Sequence, residues 1–236
     1  MLIALLSDAH GNAVALGRCL REIHRHDIRM VRFLGDAVGY LPGEVEVLHL
    51  LERAGVECQQ GNHEAMLTGR LPLDPERDQA YRLAAARSRL SPRAIARIRR
   101  WPTRVELDVD GRHLLLVHGS PWDELGGYVY PDSPLDDFAG LGVDAVLMGN
   151  THRPFVAVAG ETLVANVGSC GLPRDQGDLP SFGIYDTSTN DCHILRVQVD
   201  PDEVLAAAGL ASAHESVVSC LQRHTAAPFG SVVVNA

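Results

Sequence analysis

The feature that most constrains this chain is a short apolar run that stops on a carboxylate. Residues 2–7 read Leu-Ile-Ala-Leu-Leu-Ser, and Asp8-Ala9-His10-Gly11-Asn12 follows. A run this short, bounded at once by polar turn residues, reads as a buried strand. Asp8 and His10 alone say little, because polar residues close most strands. The weight comes from repetition. The apolar run 30–34 ends in Gly35-Asp36, and 56–59 runs into Gly61-Asn62-His63-Glu64. The run 112–117 ends in His118-Gly119-Ser120, and 144–148 ends in Gly149-Asn150-Thr151-His152. Five successive strand ends thus present Asp, Asn or His, usually beside a glycine that lets the backbone turn sharply and approach a ligand.

The segments between them alternate. Residues 13–26 carry Val14, Leu16, Leu20 and Ile23 near helical spacing, and 43–54 form a second helix. This β-loop-α order predicts a mostly parallel sheet covered by helices, with ligands at the carboxyl ends of strands. Residues 74–100 read as helices, with Ser91 an N-cap and Pro92 a first-turn residue. Arg70 to Arg100 holds nine arginines against three acids, and Arg89, Arg93, Arg97 and Arg100 share one helical face. Such a face is ordinarily solvated; the sharper reading is a helical cap, at about 70–100, that draws anions toward the site. Beyond residue 102 the pattern turns β-rich, with a hairpin (103–109 and 112–117 about Asp110-Gly111) and strands at 144–148, 154–159, 162–167, 181–187 and 190–199. A helix at 201–208 precedes an irregular end whose apolar "SVVVNA" is suited to adding a strand to an exposed edge. The expected organisation is one domain over 1–236, with the cap-like segment and a C-terminal helix and tail at about 201–236.

Composition removes several classes. With 236 residues, 46% hydrophobic and 22% charged, the expectation is a sizeable core and an ordered chain. A net charge of −9 argues against bulk nucleic-acid binding, which needs basic surface to displace counterions. No apolar stretch approaches the ~20 residues that span a bilayer, and the N-terminus lacks a basic region and a cleavage site. Five scattered cysteines without Cys-x-x-Cys read as reduced, mostly buried thiols, so the expectation is a cytoplasmic protein with no membrane partner. All 21 basic residues are arginine, which reads as compositional bias.

Carboxylate, imidazole and amide oxygen without thiolate suit Mn, Fe, Ni, Co or Zn. Two such ions about 3.5–4 Å apart can clamp a phosphoryl group and activate a water. Asp36, alone in its loop, is a sensible bridge, and two dications over two carboxylates leave a net positive site for anionic substrates.

The motifs Asp8-x-His10, Gly35-Asp36-x-x-Gly39, Gly61-Asn62-His63-Glu64, Val117-His118-Gly119 and Gly149-x-Thr151-His152 resemble those of calcineurin-like metallophosphoesterases. "GDAVGYLPGEVEVLHLL", "LLVHGSPWD" and "ANVGSCGLPRD" are similar to the small prokaryotic branch, over about residues 1–200. The resemblance implies a four-layer α-β-β-α sandwich of two mixed sheets flanked by helices. It implies a phosphoesterase for phosphodiesters or phosphomonoesters of small molecules, nucleotide-like ones included, with metal-bound hydroxide as nucleophile. Asp8, His10 and His152 would hold the first metal, Asp36 would bridge, and Asn62 and His118 would hold the second. Manganese is the leading metal for both sites. His63 would serve as acid near the leaving group or as a stabiliser of transition-state charge. Asn12, Arg153 and Arg174 are candidates for substrate contacts.

Two positions depart from the family pattern. Asn150 stands where Gly-His-x-His places a second-metal histidine; its amide oxygen is a weaker, shorter donor, so second-site occupancy falls. Gly39 stands where protein serine/threonine phosphatases have an acid that orients the catalytic histidine. The alternatives are a phosphoprotein phosphatase, which needs an open groove, and a catalytically weakened binding or regulatory protein. His24, His26, His49, His113, His193, His214 and His224 read as surface or packing residues, and Cys170 as a small apolar packer. Oligomeric state is not legible, and a homo-oligomer stays open.

Overall fold

Strand alternation decides the layering. On β1 (Leu2–Leu6), Ile3 and Leu5 point one way and Ala4 and Leu6 the other, and all four are fully buried. A strand buried on both faces reads as a continuous apolar run, which is how it appears in the sequence. The computed structural model describes residues 1–209, 213–225 and 227–233.

The chain continues through α1 (Ala13–Arg25), β2 (Met30–Phe33), α2 (Glu44–Arg53), β3 (Glu57–Cys58) and α3 (Asn62–Leu67). Three short helices follow, α4 (Pro75–Tyr81), α5 (Leu83–Arg89) and α6 (Pro92–Ile98), then the hairpin β4 (Arg104–Val109) and β5 (Arg112–Val117). A 3-10 turn at Asp136–Gly140 leads to β6 (Ala145–Met148), β7 (Phe155–Ala159), β8 (Thr162–Asn166), β9 (Ser181–Asp186) and β10 (Asp191–Val197). The end holds α7 (Pro201–Ala208), α8 (Glu215–Leu221) and β11 (Ser231–Val233).

One sheet has the order β11-β10-β9-β1-β2-β3 and the other β4-β5-β6-β8-β7. Both are mixed: β1–β2, β2–β3, β5–β6, β6–β8 and β10–β11 run parallel, the remaining pairs antiparallel. Ile3 and Leu5 meet Leu114, Leu116, Ala145, Leu147, Leu163 and Ala165 between the sheets. Ala4 and Leu6 pack instead against Leu16, Cys19, Ile23, Leu48 and Leu51 of α1 and α2. The architecture is therefore two mixed sheets face to face, flanked by helices. Its fourth layer is thin. Among the described residues, Phe138 of the 3-10 turn covers Leu115, Val117, Val146 and Met148 on the outer face of the second sheet.

Local signals account for the helix ends. Asn12 caps α1 by accepting from the Ala15 N–H at 3.0 Å, and Ser91 caps α6 by accepting from Ala94 at 3.2 Å. The arginine face does not do what a cap drawing anions would require. Arg89 pairs with the buried Glu44 and Arg97 with Glu52 at 2.8 Å, both on α2. Arg89, Arg93, Arg97 and Arg100 line a groove with Val45, Leu48 and His49, and no strand-end residue lies in it. Acids on α2 thus capture two of them, Arg89 at the end of α5 and Arg97 on α6.

The apolar C-terminal segment supplies an edge strand, with Val232 paired to Arg196; residues 234–236 of it lie outside the described residues. All five cysteines are free thiols, and Cys170 is a fully buried core residue. None of the described helices is long and apolar enough to cross a membrane.

Arg196 is fully buried on β10, ion-paired with Asp175, and donates to the Leu179 and Phe229 carbonyls at 2.8 and 2.9 Å. It ties the tail to the sheet. Arg196→Met leaves the Asp175 carboxylate buried without its partner, at a cost of about 3–5 kcal/mol. Thermal unfolding should show a Tm lowered by about 10 °C, with partial recovery when Asp175→Leu is added.

Candidate metal centre

The parallel ladder runs past the formal ends of β1 and β2. The Asp8 N–H donates to Gly35 O at 2.9 Å, and the His10 N–H to Asp36 O at 2.9 Å. This register sets Asp8 and Asp36 side by side at the rim. β5 and β6 bring His118 and residues 149–152 to the same rim from the second sheet. At Gly149 a Cβ would fall 2.1 Å from Ser7 Oγ and 2.7 Å from Asp8 Oδ2, so only glycine lets the second sheet approach this closely.

Each carboxylate is divided between two tasks. Asp8 Oδ2 accepts the Asn150 N–H at 3.0 Å, whereas Asp8 Oδ1 is buried without a hydrogen-bond partner. Around Oδ1 stand the Nε2 atoms of His152 at 3.3 Å, His10 at 3.6 Å and His118 at 4.0 Å. Asp36 Oδ1 accepts the His63 N–H at 2.9 Å. Asp36 Oδ2 is left to His118 at 3.4 Å, His10 at 3.7 Å and His63 at 3.9 Å.

The four imidazoles are oriented by one device. His10 and His63 Nδ1 both lie on Val38 O, at 3.3 and 3.1 Å; His118 Nδ1 lies on Leu34 O at 3.0 Å and His152 Nδ1 on Leu172 O. A carbonyl only accepts, so each Nδ1 carries the proton and each Nε2 is turned to the centre, as in histidines that bind metal through Nε2. In neutral form His10 and His152 aim lone pairs at one another across 3.0 Å. That arrangement, together with the orphaned Asp8 Oδ1, suits a cation. Asp8-His10-His152, His10-Asp36-His63 and Asp8-Asp36-His118 each place ligand atoms within 4.8 Å of one another. The groups share Asp8, His10 and Asp36, so the donors form one continuous centre. Asn62 Oδ1 joins it, 3.1 Å from His118 Nε2.

Electrostatics agree. Burial opposes charge on Asp8 and Asp36, yet His152 and His118 hold Asp8 well below the usual carboxylate range, and His118 and His63 do so for Asp36. Burial also disfavours imidazolium at His118, but Asp36 and Asp8 outweigh it and raise it to about 9. Burial dominates elsewhere and lowers His63 to about 3 and His152 to about 4.

Among the described residues, ten without glycine's freedom have positive φ, and six of them are Asp8, His10, Asp36, Tyr40, Asn150 and His152. Such conformations cost on the order of 1–3 kcal/mol each and persist only where surroundings impose them. One imposing group is Glu64, which sequence reasoning kept only as a motif letter. The motif it belongs to opens α3 rather than a loop, and its carboxylate is wholly buried. It accepts from the N–H groups of Asp36, Ala37, Val38 and Gly61 at 2.7, 2.8, 3.3 and 2.8 Å. Burial and the Asp36 charge push Glu64 up to about 7, against the backbone donors. Ser169 is a second positioning residue, its hydroxyl donating to Asp8 O at 2.7 Å and accepting from Leu172 at 2.7 Å. "ANVGSCG" was its only sequence signal.

The remaining candidates separate. Asn12 is 3% exposed and donates to Gly171 O at 2.7 Å while capping α1, so both ends of its amide are engaged and it does not reach for a phosphate. Arg174 lies by the centre, its charge felt at Tyr40 and His152. Arg153 follows the Thr151 hydroxyl, and its charge is felt at Cys220 of α8. Asn150 Nδ2 donates to Gly127 O at 2.8 Å. At φ 65 this position suits asparagine, which enters the left-handed region more readily than most residues. Gly39, at φ 93, is where a Cβ would fall 2.3 Å from His63 Nδ1. The partner of that nitrogen is the Val38 carbonyl, which leaves Nε2 of His63 turned to the centre.

The sequence matches the calcineurin-like phosphoesterase superfamily domain over residues 1–190, and the chain belongs to that superfamily. It is 28% identical over 216 residues to an uncharacterized protein of Methanocaldococcus jannaschii, spanning 84% of this chain and 88% of that one. It is 27% identical over 180 residues to the "Probable metallophosphoesterase" of Methanothermobacter thermautotrophicus, spanning 74% and 80% of the two chains. The crystal structure of a metallophosphoesterase from Sphaerobacter thermophilus superposes with a TM-score of 0.79 at 26% identity, over 94% of this chain and 98% of that one.

Glu64→Ala strands four backbone N–H groups at the base of the centre. Unsatisfied buried donors cost about 1–3 kcal/mol each, so urea unfolding should show a loss of at least about 3 kcal/mol. Glu64→Gln, which keeps one acceptor oxygen, should lose less.

Proposed function

We propose that the chain is a metal-dependent phosphoesterase that hydrolyses phosphodiesters or phosphomonoesters of small, nucleotide-like molecules. The observation that carries this reading is the buried Asp8 Oδ1, left without a hydrogen bond while imidazole Nε2 atoms converge on it. Asp8, His10 and His152 would hold one divalent ion, Asn62 and His118 a second, and Asp36 Oδ2 would bridge. Manganese suits this nitrogen and oxygen donor set, as do iron, nickel, cobalt and zinc. When bound, such ions polarise the phosphoryl oxygens and lower the pKa of a water.

The chain's own groups do the rest. His63 Nε2 is the atom that would carry a proton to the leaving oxygen; the Val38 carbonyl holds Nδ1–H, and against burial, which keeps the free chain's His63 neutral, the Asp36 charge 3.9 Å away favours protonation there. Arg174, charged and beside the centre, binds a phosphate oxygen. A small substrate is favoured over a phosphoprotein, because His63 lacks the acid partner that protein phosphatases of this superfamily have. A second reading, a binding or regulatory protein with one ion, has its own support. The Asn150 amide donates to Gly127 O, which leaves the second site short of the family's imidazole.

Metal content and turnover separate the two. The stripped chain reloaded with manganese should take up two ions and hydrolyse bis(p-nitrophenyl) phosphate. One ion and no turnover, both restored by Asn150→His, would establish the regulatory reading. Asp36→Asn should weaken metal binding by more than the roughly 10–100-fold that outer partners cost.

Leaving-group dependence tests His63. His63→Ala should lower kcat by about 10²–10⁴ on an alkyl ester, whose alkoxide needs a proton. The loss should be much smaller on a p-nitrophenyl ester, at unchanged metal content.

A further inference from the structure

Several tyrosines that the strand-end motifs did not absorb gather at the mouth of the centre. Tyr40 sits at φ 59, a backbone region that bulky residues enter only under constraint. Its N–H donates to Tyr81 O at 2.7 Å, and Tyr81 ends α4 just before Arg82, itself at φ 58. The Tyr40 ring stacks on His63 at 5.1 Å and 27°, and Tyr81 lies 4.6 Å from His63 and 5.2 Å from Tyr40. Two phenols, one from the loop after β2 and one from the helical segment, thus pack beside the proposed proton carrier.

A further phenol comes from the loop that follows β5. Tyr128 is 52% exposed, and its hydroxyl lies within electrostatic reach of Arg174, Tyr81 and Asp36. Its ring runs parallel to that of Tyr130, at 5.9 Å and 5°. The loop beneath it is tightly held: Gly119 N–H donates to Glu124 O at 2.8 Å, Gly127 N–H to Asp123 O at 3.0 Å, and Asn150 Nδ2 to Gly127 O at 2.8 Å. The side chain that stands in the place of a metal-binding histidine therefore fixes the carbonyl immediately before Tyr128.

We infer that Tyr128, exposed on the loop that Asn150 ties to the centre, recognises the aromatic base of a nucleotide-type phosphoester and so determines specificity at this site. The inference rests on the phosphoesterase reading and names its substrate class. An exposed phenol on a fixed loop offers a stacking face with little conformational entropy to lose. Base stacking on such a ring contributes about 1–3 kcal/mol. The guanidinium of Arg174 serves the phosphate or stacks in turn. A sugar phosphate without a base engages Arg174 and the metal-loaded centre and leaves Tyr128 unused.

The test uses the full chain loaded with manganese and calorimetry with two non-hydrolysable ligands, the 5′-phosphonate analogues of adenosine 5′-monophosphate and of ribose 5-phosphate. The adenine compound should bind about tenfold tighter or more. Tyr128→Ala should abolish that difference while leaving the ribose compound's affinity unchanged, and Tyr128→Phe should preserve it. Equal binding of the two ligands, no binding of either, or a difference that survives Tyr128→Ala overturns the inference. Hydrolysis is scored separately, on aryl mono- and diesters. Turnover without base-dependent binding leaves the phosphoesterase reading standing and removes this one. Base-dependent binding without turnover does the reverse and marks a nucleotide-binding protein.

Discussion

Two carboxylates buried at one rim, each with an oxygen left free of hydrogen bonds to the backbone, are the constraint on which the rest of the structure depends. An isolated buried carboxylate is strongly unfavourable. Here the imidazoles around Asp8 and Asp36 favour the ionised carboxylates strongly enough to outweigh burial. The imidazoles are in turn held by backbone carbonyls, so the arrangement does not rely on mobile side chains. The result is a pre-formed, inward-facing set of nitrogen and oxygen donors with a preference for positive charge.

Such a set needs loops in unfavourable backbone conformations. Left-handed residues cluster at the strand ends, and Glu64 holds three consecutive backbone N–H groups of the Asp36 loop together with that of Gly61. The strain is offset by the core between and around the two sheets, where Ile3, Leu5, Leu114 and Leu116 are buried to 1% exposure or less. Stability lies in the sheets; chemistry lies at their carboxyl rim. The two are joined by short connections such as the Gly149 approach to Ser7.

The two departures from the family pattern take on a joint meaning in three dimensions. At position 39 a side chain would strike His63, and a carbonyl replaces the acid. At position 150 the amide turns to the loop that carries Tyr128. Position 39 thus keeps room for the His63 ring, and position 150 ties the centre to the loop before Tyr128.

Much of this was legible before any coordinates. The apolar runs with polar ends located the strands, and Asp8, His10, Asp36, Asn62, His118 and His152 do converge in space. Ser91 and Pro92 marked a helix start that the structure keeps. What could not be read was direction. Asn12 sits in the same motif as Asp8 and His10, yet its amide caps a helix and holds Gly171. The arginine face of α5 and α6 turned to α2, where acids capture Arg89 and Arg97. Glu64 and Ser169 act through backbone groups that no spacing rule names, and the loop carrying Tyr128 reaches Asn150 only because the chain folds back on itself. Sequence by itself determined which residue types stand at each strand end, since composition and periodicity are local properties of the chain. Only the tertiary structure decided which atom of each residue faces the centre, because that depends on hydrogen bonds between segments as far apart in the chain as Asp8 and Asn150.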